Sequence, residues 1–268
     1  MGKTMAEKIL ENKAGFPVKA GDLVIAPVDR AMGQDGTTPL AIQSFEEMKG
    51  ERVFDPEKII LILDHNAPSP LESVSRLHDL MRNFSRKFGV QLMEIGEGVC
   101  HELMVSRGFV VPGDLVVGAD SHTCTYGAIG AFSTGVGSTE LAVVMLSGEL
   151  WFKVPETIRL NLQGKLPAGV FSKDVILYLA GKLGADGATY QALEFHGPVI
   201  ENLEVEERFT ISNMAVEVGA KAGLMVPDEK AIKWVRERTN REFQPVFPDP
   251  DAQYSRVIDI DCSSLSPQ

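Results

Sequence analysis

The sequence predicts an α/β protein whose sheets are mainly parallel. Apolar runs of strand length alternate with segments that carry an apolar residue every third or fourth position, and the joints between them are short. With 268 residues the chain is long enough for two compact domains. Because the pattern changes near residue 155, we predict one α/β domain over 1–155 and a second over 156–268.

The first unit of this pattern is a strand, a helix and a second strand. The run KIILIL at 58–63 is apolar after its lysine, as expected for a strand that is covered on both faces. The run VQLMEI at 90–95 is the next predicted strand. A helix between two such strands gives a right-handed crossover and places the strands parallel.

The helix between these strands has recognisable start and stop residues. Ser69 is the predicted N-cap, Pro70 takes the first helical position, and Glu72 closes a capping box. Apolar residues recur from Leu71 to Phe88 and form one stripe, and Gly89 follows as a C-cap. The segment is therefore predicted to pack one face on the sheet.

The same pattern continues to the end of the first domain. We predict a helix over 99–107, a buried strand over 114–118, and a helix that Ser138 caps and that runs to about Leu150. The glycine-rich stretch 127–137 indicates close backbone packing, or room for a bulky group.

The predicted second domain repeats the alternation of strands and helices, but its first strand is half-exposed instead of fully buried. TIRLNLQG at 157–164 alternates apolar and polar side chains, as a half-exposed strand does. A helix over 172–184, strands near 193–200 and a helix with NMAVEVGAKAG as its core, ending at Gly223, are predicted to follow. The segment SRVIDIDCSSLSPQ at 255–268 is strand-like.

Composition and charge exclude several classes of function. The formal charge of −11, from 26 basic and 37 acidic residues, argues against nucleic acid or an anionic membrane as a partner. No apolar run reaches the length of a membrane span, and the first residues lack the features of an export signal. The three cysteines, Cys100, Cys124 and Cys262, are far apart and form neither a disulfide framework nor a metal motif. We therefore expect a cytoplasmic protein.

Three of the five histidines follow three predicted strands of the first domain. His65 comes directly after Asp64, His101 follows the second strand, and His122 lies two residues after Asp120. Because the carboxyl ends of parallel strands meet at one edge of a sheet, we expect these groups to lie close together. A carboxylate beside an imidazole fixes its tautomer and raises its basicity, which suits general acid–base catalysis.

Other readings of these residues are possible from the sequence alone. A mononuclear zinc site could use His65, His101, His122 and Asp120. A serine hydrolase with Ser121 is disfavoured, because the G-x-S-x-G elbow is absent and neighbours in sequence cannot form a relay. The remaining histidines, at positions 78 and 196, are expected to be structural.

Four segments together resemble a known family. DHNAPSP, GEGVCHE, PGDLVVGADSHTCTYGAIGAFSTGVGSTE and ISNMAVEVGAKAG are similar to the large subunit of the aconitase superfamily, of the 3-isopropylmalate dehydratase and homoaconitase type. The similarity runs from end to end, and GADSHT is its most specific part. Those subunits continue with a third domain whose cysteines hold a [4Fe–4S] cluster. The resemblance therefore implies an aconitase-like fold that lacks the cluster-ligating domain, and no metal ligand in this chain.

The resemblance implies a hydro-lyase. It would isomerise a 2-hydroxy di- or tricarboxylate, namely 3-isopropylmalate or homocitrate/homoaconitate, by removing and re-adding water with the help of a cluster iron. The family's base is a serine on a separate small subunit, so this chain alone is expected to be inactive. The glutamine that aconitase itself presents to substrate aligns with Pro39, which disfavours citrate and isocitrate.

The family's active-site residues can be matched position by position. Three histidines match active-site histidines, each with a carboxylate partner: His65 with Asp64, His101 with Asp120, and His122 with Glu217. His65 corresponds to the residue that protonates the departing hydroxyl. Ser121 and Asn213 match polar groups near substrate and cluster.

Cations for a multi-carboxylate substrate are scarce at this edge. No lysine or arginine lies between Arg107 and Lys153. The substrate arginines are therefore expected on the small subunit or in the absent domain, and Arg30 is the only local candidate. Two other functions stay open: a single-chain zinc-dependent hydrolase or lyase, and a non-catalytic scaffold for a partner subunit.

Overall fold

The protein is described by a computed structural model that covers residues 2–268. It confirms the α/β fold class: the two larger sheets are parallel throughout, and a small third sheet is antiparallel. The strands are β1 Leu23–Pro27, β2 Arg30–Gln34, β3 Ile59–Ile62, β4 Gln91–Met93, β5 Leu115–Gly118, β6 Phe132–Gly135, β7 Glu149–Lys153, β8 Thr157–Gln163, β9 Ala192–His196, β10 Ala222–Met225 and β11 Arg256–Asp261.

Helices connect most of these strands. The α-helices are α1 Met5–Ala14, α2 Thr38–Glu47, α3 Glu72–Phe88, α4 Cys100–Ser106, α5 Ser138–Ser147, α6 Ser172–Leu183, α7 Pro198–Asn202, α8 Val205–Asn213 and α9 Glu229–Arg236. The 3-10 helices are Pro56–Lys58, Ser121–Ile129, Met214–Val218 and Cys262–Ser264. Among residues 2–268, none of the helices combines the length and the apolar character needed to cross a bilayer.

The five-stranded sheet has a strand order that creates a crevice. Its order is β4-β3-β2-β5-β6, so the chain moves outward from β2 in one direction and then returns to β5 on the other side. Such a reversal is a topological switch point, and ligands of open parallel sheets bind there, outside the carboxyl ends of the strands.

Helices cover both faces of this sheet, which explains the continuous apolar run of β3. Ile59 and Leu61 pack with α2, α3 and α5, whereas Ile60 and Ile62 pack with α4, α8 and α9. All four side chains are fully buried. A strand buried on both faces needs apolar side chains at every position, and this is the pattern from which β3 was predicted.

The second large sheet lies later in the chain and has the order β10-β9-β8-β11. The start of α1 is tied to it, because the buried carboxylate of Glu194 on β9 accepts a hydrogen bond from the Met5 amide at 2.8 Å. The boundary at residue 155 stays a prediction; the two larger sheets lie on either side of it.

Several element predictions are confirmed, but the start of α3 is wrong. Strands β3, β4 and β5 and helices α4 and α6 lie where they were predicted, and Gly89 ends α3 in the left-handed region. The capping box is absent: α3 begins at Glu72, and Ser69 Oγ accepts a hydrogen bond from the Leu71 amide instead. Leu71 and Leu77 are exposed because α3 reaches the core only from His78 onward.

The two helices predicted at small-residue segments also differ from the structure. Gly137, not Ser138, is the N-cap of α5, and that helix ends at Ser147, because the apolar residues after Gly148 belong to β7. The predicted helix ending at Gly223 is a 3-10 turn followed by β10. Gly219 has a φ of 84°, which stops the turn, and the small residues after it permit close contact with the 3-10 helix 121–129.

Candidate active site

Polar side chains gather at the carboxyl ends of β2, β3 and β5, at the switch point of the five-stranded sheet. Gln34 and Asp35 end β2, Asp64 and His65 follow β3, and Asp120 follows β5. Gln34 lies across the crevice from Asp120, with its Nε2 3.4 Å from Asp120 Oδ2. The strand order therefore brings together groups that are 86 residues apart in sequence.

Asp120 is the centre of this group. Its Oδ1 accepts hydrogen bonds from His101 Nε2 at 2.9 Å and from the His122 amide at 2.8 Å. Its Oδ2 lies 3.3 Å from His65 Nε2, and the His122 ring is 3.8 Å from Oδ1 through its Nδ1. The structure thus places all three histidines of the edge within 4 Å of one carboxylate.

Each of the three rings also has a second polar partner. His65 Nδ1 lies 2.8 Å from Asp64 Oδ1, and His122 Nε2 lies 3.1 Å from Glu217 Oε1. His101 Nδ1 lies 3.2 Å from the hydroxyl of Tyr126, which is fully buried in the 3-10 helix 121–129. The ring pairs expected from the resemblance, including His101 with Asp120, are all in contact.

The electrostatics favour a protonated ring at His65 and an ionised Asp120. Burial opposes the charge of His65, but the hydrogen bond and charge of Asp64, with the charges of Asp120 and Asp35, outweigh it and raise the pKa of His65. Burial also opposes the charge of Asp120. The hydrogen bonds from His101 and the His122 amide outweigh burial there and hold the pKa of Asp120 below its usual range.

The carboxylates of this group are buried, whereas two of the three rings are partly exposed. The side chains of Asp64 and Asp120 are 4% and 11% exposed, whereas those of His65 and His122 are 39% and 36% exposed. A buried carboxylate under a half-exposed imidazole can hold the ring in place while the ring exchanges a proton with a bound molecule.

Ser121 and Asn213 take different positions around this group. Ser121 Oγ lies 3.2 Å from His122 Nδ1 at the exposed side of the cluster. Asn213 ends α8, where its Nδ2 donates to Thr125 Oγ1 at 2.8 Å and its carbonyl oxygen accepts from the Cys124 thiol. In the structure, Asn213 holds the 3-10 helix that carries His122.

The alternative of a zinc site with His65, His101, His122 and Asp120 as ligands is not supported, because no three of these residues bring ligand atoms within 4.8 Å of one another. Within residues 2–268, one group brings three possible ligand atoms within 4.8 Å of one another, and it consists of Asp64, His65 and Cys100. Burial and the charge of Asp64 raise the pKa of the Cys100 thiol, and the Asp64 oxygens already accept hydrogen bonds from His65 and the Cys100 amide. Asp64 and His65 are therefore engaged with each other and with the Cys100 amide, as a carboxylate–imidazole pair and not as a preformed set of zinc ligands.

The cysteines do not fit an iron–sulfur cluster either. Cys100, Cys124 and Cys262 are buried, free and on separate elements. Burial raises the pKa of Cys124 to about 12 and that of Cys262 to about 11. Cluster ligands are thiolates grouped around one centre, and three buried cysteines on separate elements do not provide such a set.

Arg30 is not part of the site, and a lysine lies closer. Arg30 begins β2, at the opposite edge of the sheet, where it donates to the carbonyl oxygens of Phe109 and Asp29. A cleft of about 730 Å³ opens beside Asp120, and Lys221 is the cation among its lining residues. Lys221 was not predicted from the sequence, because it is distant along the chain and reaches the cleft from the second large sheet.

Sequence reasoning missed three further residues around the site: Gln34, Asp35 and Tyr126. Gln34 and Asp35 were missed because RAMGQ was not recognised as a strand; the only signal was two polar residues after a short small-residue segment. His78 was correctly expected to be structural. It is buried and lies 2.8 Å from Asp35 Oδ2.

Comparisons with known proteins show the family of the chain. The model of the aconitase family (aconitate hydratase) matches residues 7–268. The chain is 49% identical to the 3-isopropylmalate dehydratase large subunit 1 of Methanopyrus kandleri, and 52% identical both to large subunit 1 of Thermotoga maritima and to large subunit 2 of Archaeoglobus fulgidus. These alignments cover 100% of the chain, which spans 64% of the length of each relative. The chain belongs to the aconitase family.

Proposed function

We propose that the chain is part of the large subunit of a 3-isopropylmalate dehydratase, a hydro-lyase of leucine biosynthesis. The supporting observation is the convergence of three carboxylate-held imidazoles on Asp120 at the switch point of a parallel sheet. The names of the relatives favour 3-isopropylmalate over homocitrate or homoaconitate as the substrate. A cytoplasmic location, expected from the cysteine pattern, belongs to the same proposal.

In this proposal His65 is the general acid. Removal of a hydroxyl at neutral pH needs a proton donor, because hydroxide is a poor leaving group. Asp64 holds the Nδ1 side of the ring at 2.8 Å, while the Nε2 side makes the longer contact of 3.3 Å to Asp120. The Nε2 proton is therefore the one that can pass to the departing oxygen.

The other two histidines complete the polar edge. Asp120 and the Tyr126 hydroxyl hold His101 from both sides, so that ring is fixed in orientation. His122 faces Glu217 and Ser121, at the exposed side of the cluster. We assign His101 and His122 to orienting the substrate hydroxyl and carboxylate, with Ser121 as a further hydrogen-bonding group.

The reaction needs groups that residues 2–268 do not supply. The resemblance implies a [4Fe–4S] cluster, and no cysteine among these residues fits as its ligand. We propose that the cluster ligands lie outside this part of the protein. The serine base and the substrate arginines are proposed to come from a small subunit, in keeping with the large-subunit names of the relatives.

A chimera tests the proposal. The matching segment of the Thermotoga maritima large subunit is replaced by this chain, and the chimera is assembled with that organism's small subunit and with iron and sulfide. We expect interconversion of 2- and 3-isopropylmalate, and loss of it in a His65→Asn chimera that assembles equally well. A parent chimera that assembles and holds its iron yet converts neither isopropylmalate isomer would contradict the proposal. Conversion of homoaconitate alone would contradict the substrate assignment.

A further inference from the structure

A second buried carboxylate lies directly behind His65. Asp35 is fully buried at the end of β2, next to the end of β3. Its Oδ1 accepts hydrogen bonds from the amides of Asp64 at 3.3 Å and His65 at 2.8 Å, and its Oδ2 accepts from the amide of Asn66 at 3.0 Å. Three successive backbone amides thus close around one carboxylate, as they do in backbone anion-binding nests.

His78 supplies the fourth donor to the same carboxylate. Its Nε2 lies 2.8 Å from Asp35 Oδ2, and its side chain is 5% exposed. His78 is the first buried residue of α3, which begins after the loop that carries His65. The contact therefore joins the end of β2, the loop after β3 and the helix that follows it.

We propose that Asp35 and His78 are positioning residues for His65: Asp35 fixes the backbone of residues 64–66, and His78 fixes the Asp35 carboxylate. The role of His65 as the acid rests on the proposed function, whereas the placement of its ring does not. Without Asp35 the three amides have no buried acceptor, and the loop that sets His65 between Asp64 and Asp120 loses its anchor.

The charge of Asp35 contributes as well as its hydrogen bonds. Burial opposes ionisation of Asp35, but the hydrogen bonds from His78 and the three amides outweigh it and lower its pKa. The charged groups that face His65 are Asp64, Asp120 and Asp35, from the ends of three different strands. Neutralising Asp35 removes one of the three negative charges that keep the His65 ring protonated.

Titration of His65 by NMR tests the inference in the 268-residue chain itself. Histidine is labelled at Cε1 with carbon-13, and the His65 signal is followed with pH in the parent chain and in Asp35→Asn, His78→Leu and His78→Gln. We expect His65 to titrate at a lower pH in Asp35→Asn and His78→Leu. The titration of His65 in His78→Gln should lie closer to that in the parent chain, because the glutamine amide N–H can still donate to Asp35.

Asp114→Asn is the matched control, because Asp114 is also a buried carboxylate next to the same sheet but lies at its opposite edge. It should leave the His65 titration unchanged. If Asp35→Asn does not fold, His78→Leu carries the same test. An unmoved His65 titration in a folded Asp35→Asn or His78→Leu chain overturns the inference.

The chimera separates this inference from the proposed function. His78→Leu should lower kcat by roughly 10-fold with little change in KM, which is less than for loss of His65 because the ring is displaced and not removed. The alkaline limb of the pH profile of the His78→Leu chimera should move to lower pH. His78→Gln should restore part of kcat and part of the pH shift. If the parent chimera is inactive, the proposed function fails while the NMR titration still decides the placement of His65.

Discussion

The strands of the five-stranded sheet begin at one edge, the amino edge, and end at the opposite one, the carboxyl edge. Both edges carry buried or part-buried aspartates, but the partners of these aspartates differ. At the amino edge Asp114 accepts two hydrogen bonds from the guanidinium of Arg241, at 2.9 and 3.1 Å, and one from the Val111 amide. Asp29 accepts from the Leu115 amide and forms an ion pair with Lys13 at 2.7 Å. The side-chain partners, Arg241 and Lys13, stay charged near neutral pH and bind the chain to itself.

At the carboxyl edge the partners are imidazoles. Asp120 contacts His65 and His101, and Asp64 contacts His65, while the rings of His65 and His122 remain more than one-third exposed. An imidazole changes charge near neutral pH, and a guanidinium does not. Aspartates therefore pair with permanently or strongly basic side chains at one edge and with side chains that titrate near neutral pH at the other.

The second large sheet also carries a carboxylate–imidazole pair, but this pair stands alone. His196 Nε2 lies 2.7 Å from Glu194, whose carboxylate is fully buried and also accepts from the Tyr254 hydroxyl and the Met5 amide. This pair joins α1 to β9 and presents one ring, without a second imidazole beside it. Convergence of several rings at an open edge is what distinguishes the candidate site.

The largest effect is expected from Asp120→Asn in the chimera. An asparagine cannot accept from His101, His65 and the His122 amide with a full negative charge, so all three rings lose their common partner. We expect kcat to fall by roughly 1,000-fold, within the range for loss of general acid–base function. The control, Asp114→Asn, should keep kcat close to that of the parent at a lowered melting temperature. Equal losses of kcat in the two variants would contradict the contrast between the edges.

At the amino edge the expected effect is on stability instead. Arg241→Met removes the partner of Asp114, which is 6% exposed, and leaves a buried carboxylate. We expect the free energy of unfolding to fall by about 2 kcal/mol, less than for a fully buried pair because Arg241 is partly exposed. Urea unfolding measures this change. The double variant Asp114→Leu with Arg241→Met should recover part of the loss, and a further loss would speak against the account.

Removal of His65, the proposed acid, should lower kcat less than removal of Asp120. His65→Asn is expected to lower kcat by about 100-fold, because Asp120, His101 and His122 keep their contacts. His196→Asn, at the end of β9 in the second large sheet, is the matched control and should leave kcat near the parent value. Steady-state rates with both isopropylmalate isomers measure the difference, and a comparable loss in the two variants would remove the basis for assigning the acid.

The smallest expected effect is a pH dependence of stability. Since the pKa of His65 is raised in the folded chain, its stabilising contribution is present below the unfolded value of 6.5 and is lost as the pH rises through the folded value. The urea midpoint should fall between about pH 5.5 and pH 8.5, and this fall should be shallower in His65→Asn. A steeper fall in the variant would show that the sign of the effect is wrong.

Much of the fold and of the candidate site could be predicted from the sequence, for identifiable reasons. The apolar run of β3 and the glycine after α3 are local signals, and Asp64 and Asp120 lie immediately after their strands. The contact of His122 with Glu217 was expected from the resemblance, since no local pattern joins residues 95 positions apart.

The missed features depend on contacts that the sequence does not display. Strand β2 begins with Arg30 and ends with Gln34, so its apolar stretch is too short to stand out. Asp35 and His78 meet only because α3 returns across the end of β2. Gly223 was read as a helix end, whereas close packing on the 3-10 helix 121–129 requires small residues in a strand there. The missed contact of Asp35 with His78 and the miss at Gly223 concern tertiary contacts, whereas the misses at β2 and at the start of α3 concern local patterns.

The central claim is that Asp120 joins three imidazoles into one unit, and NMR of the five histidines tests it most directly. In the 268-residue chain labelled at histidine, Asp120→Asn should shift the ring signals of His65, His101 and His122 together and leave that of His196 in place. Asp114→Asn should move none of these four. If one or more of the three edge rings is unaffected by Asp120→Asn, or if His196 shifts by as much, the convergence proposed for this site is wrong.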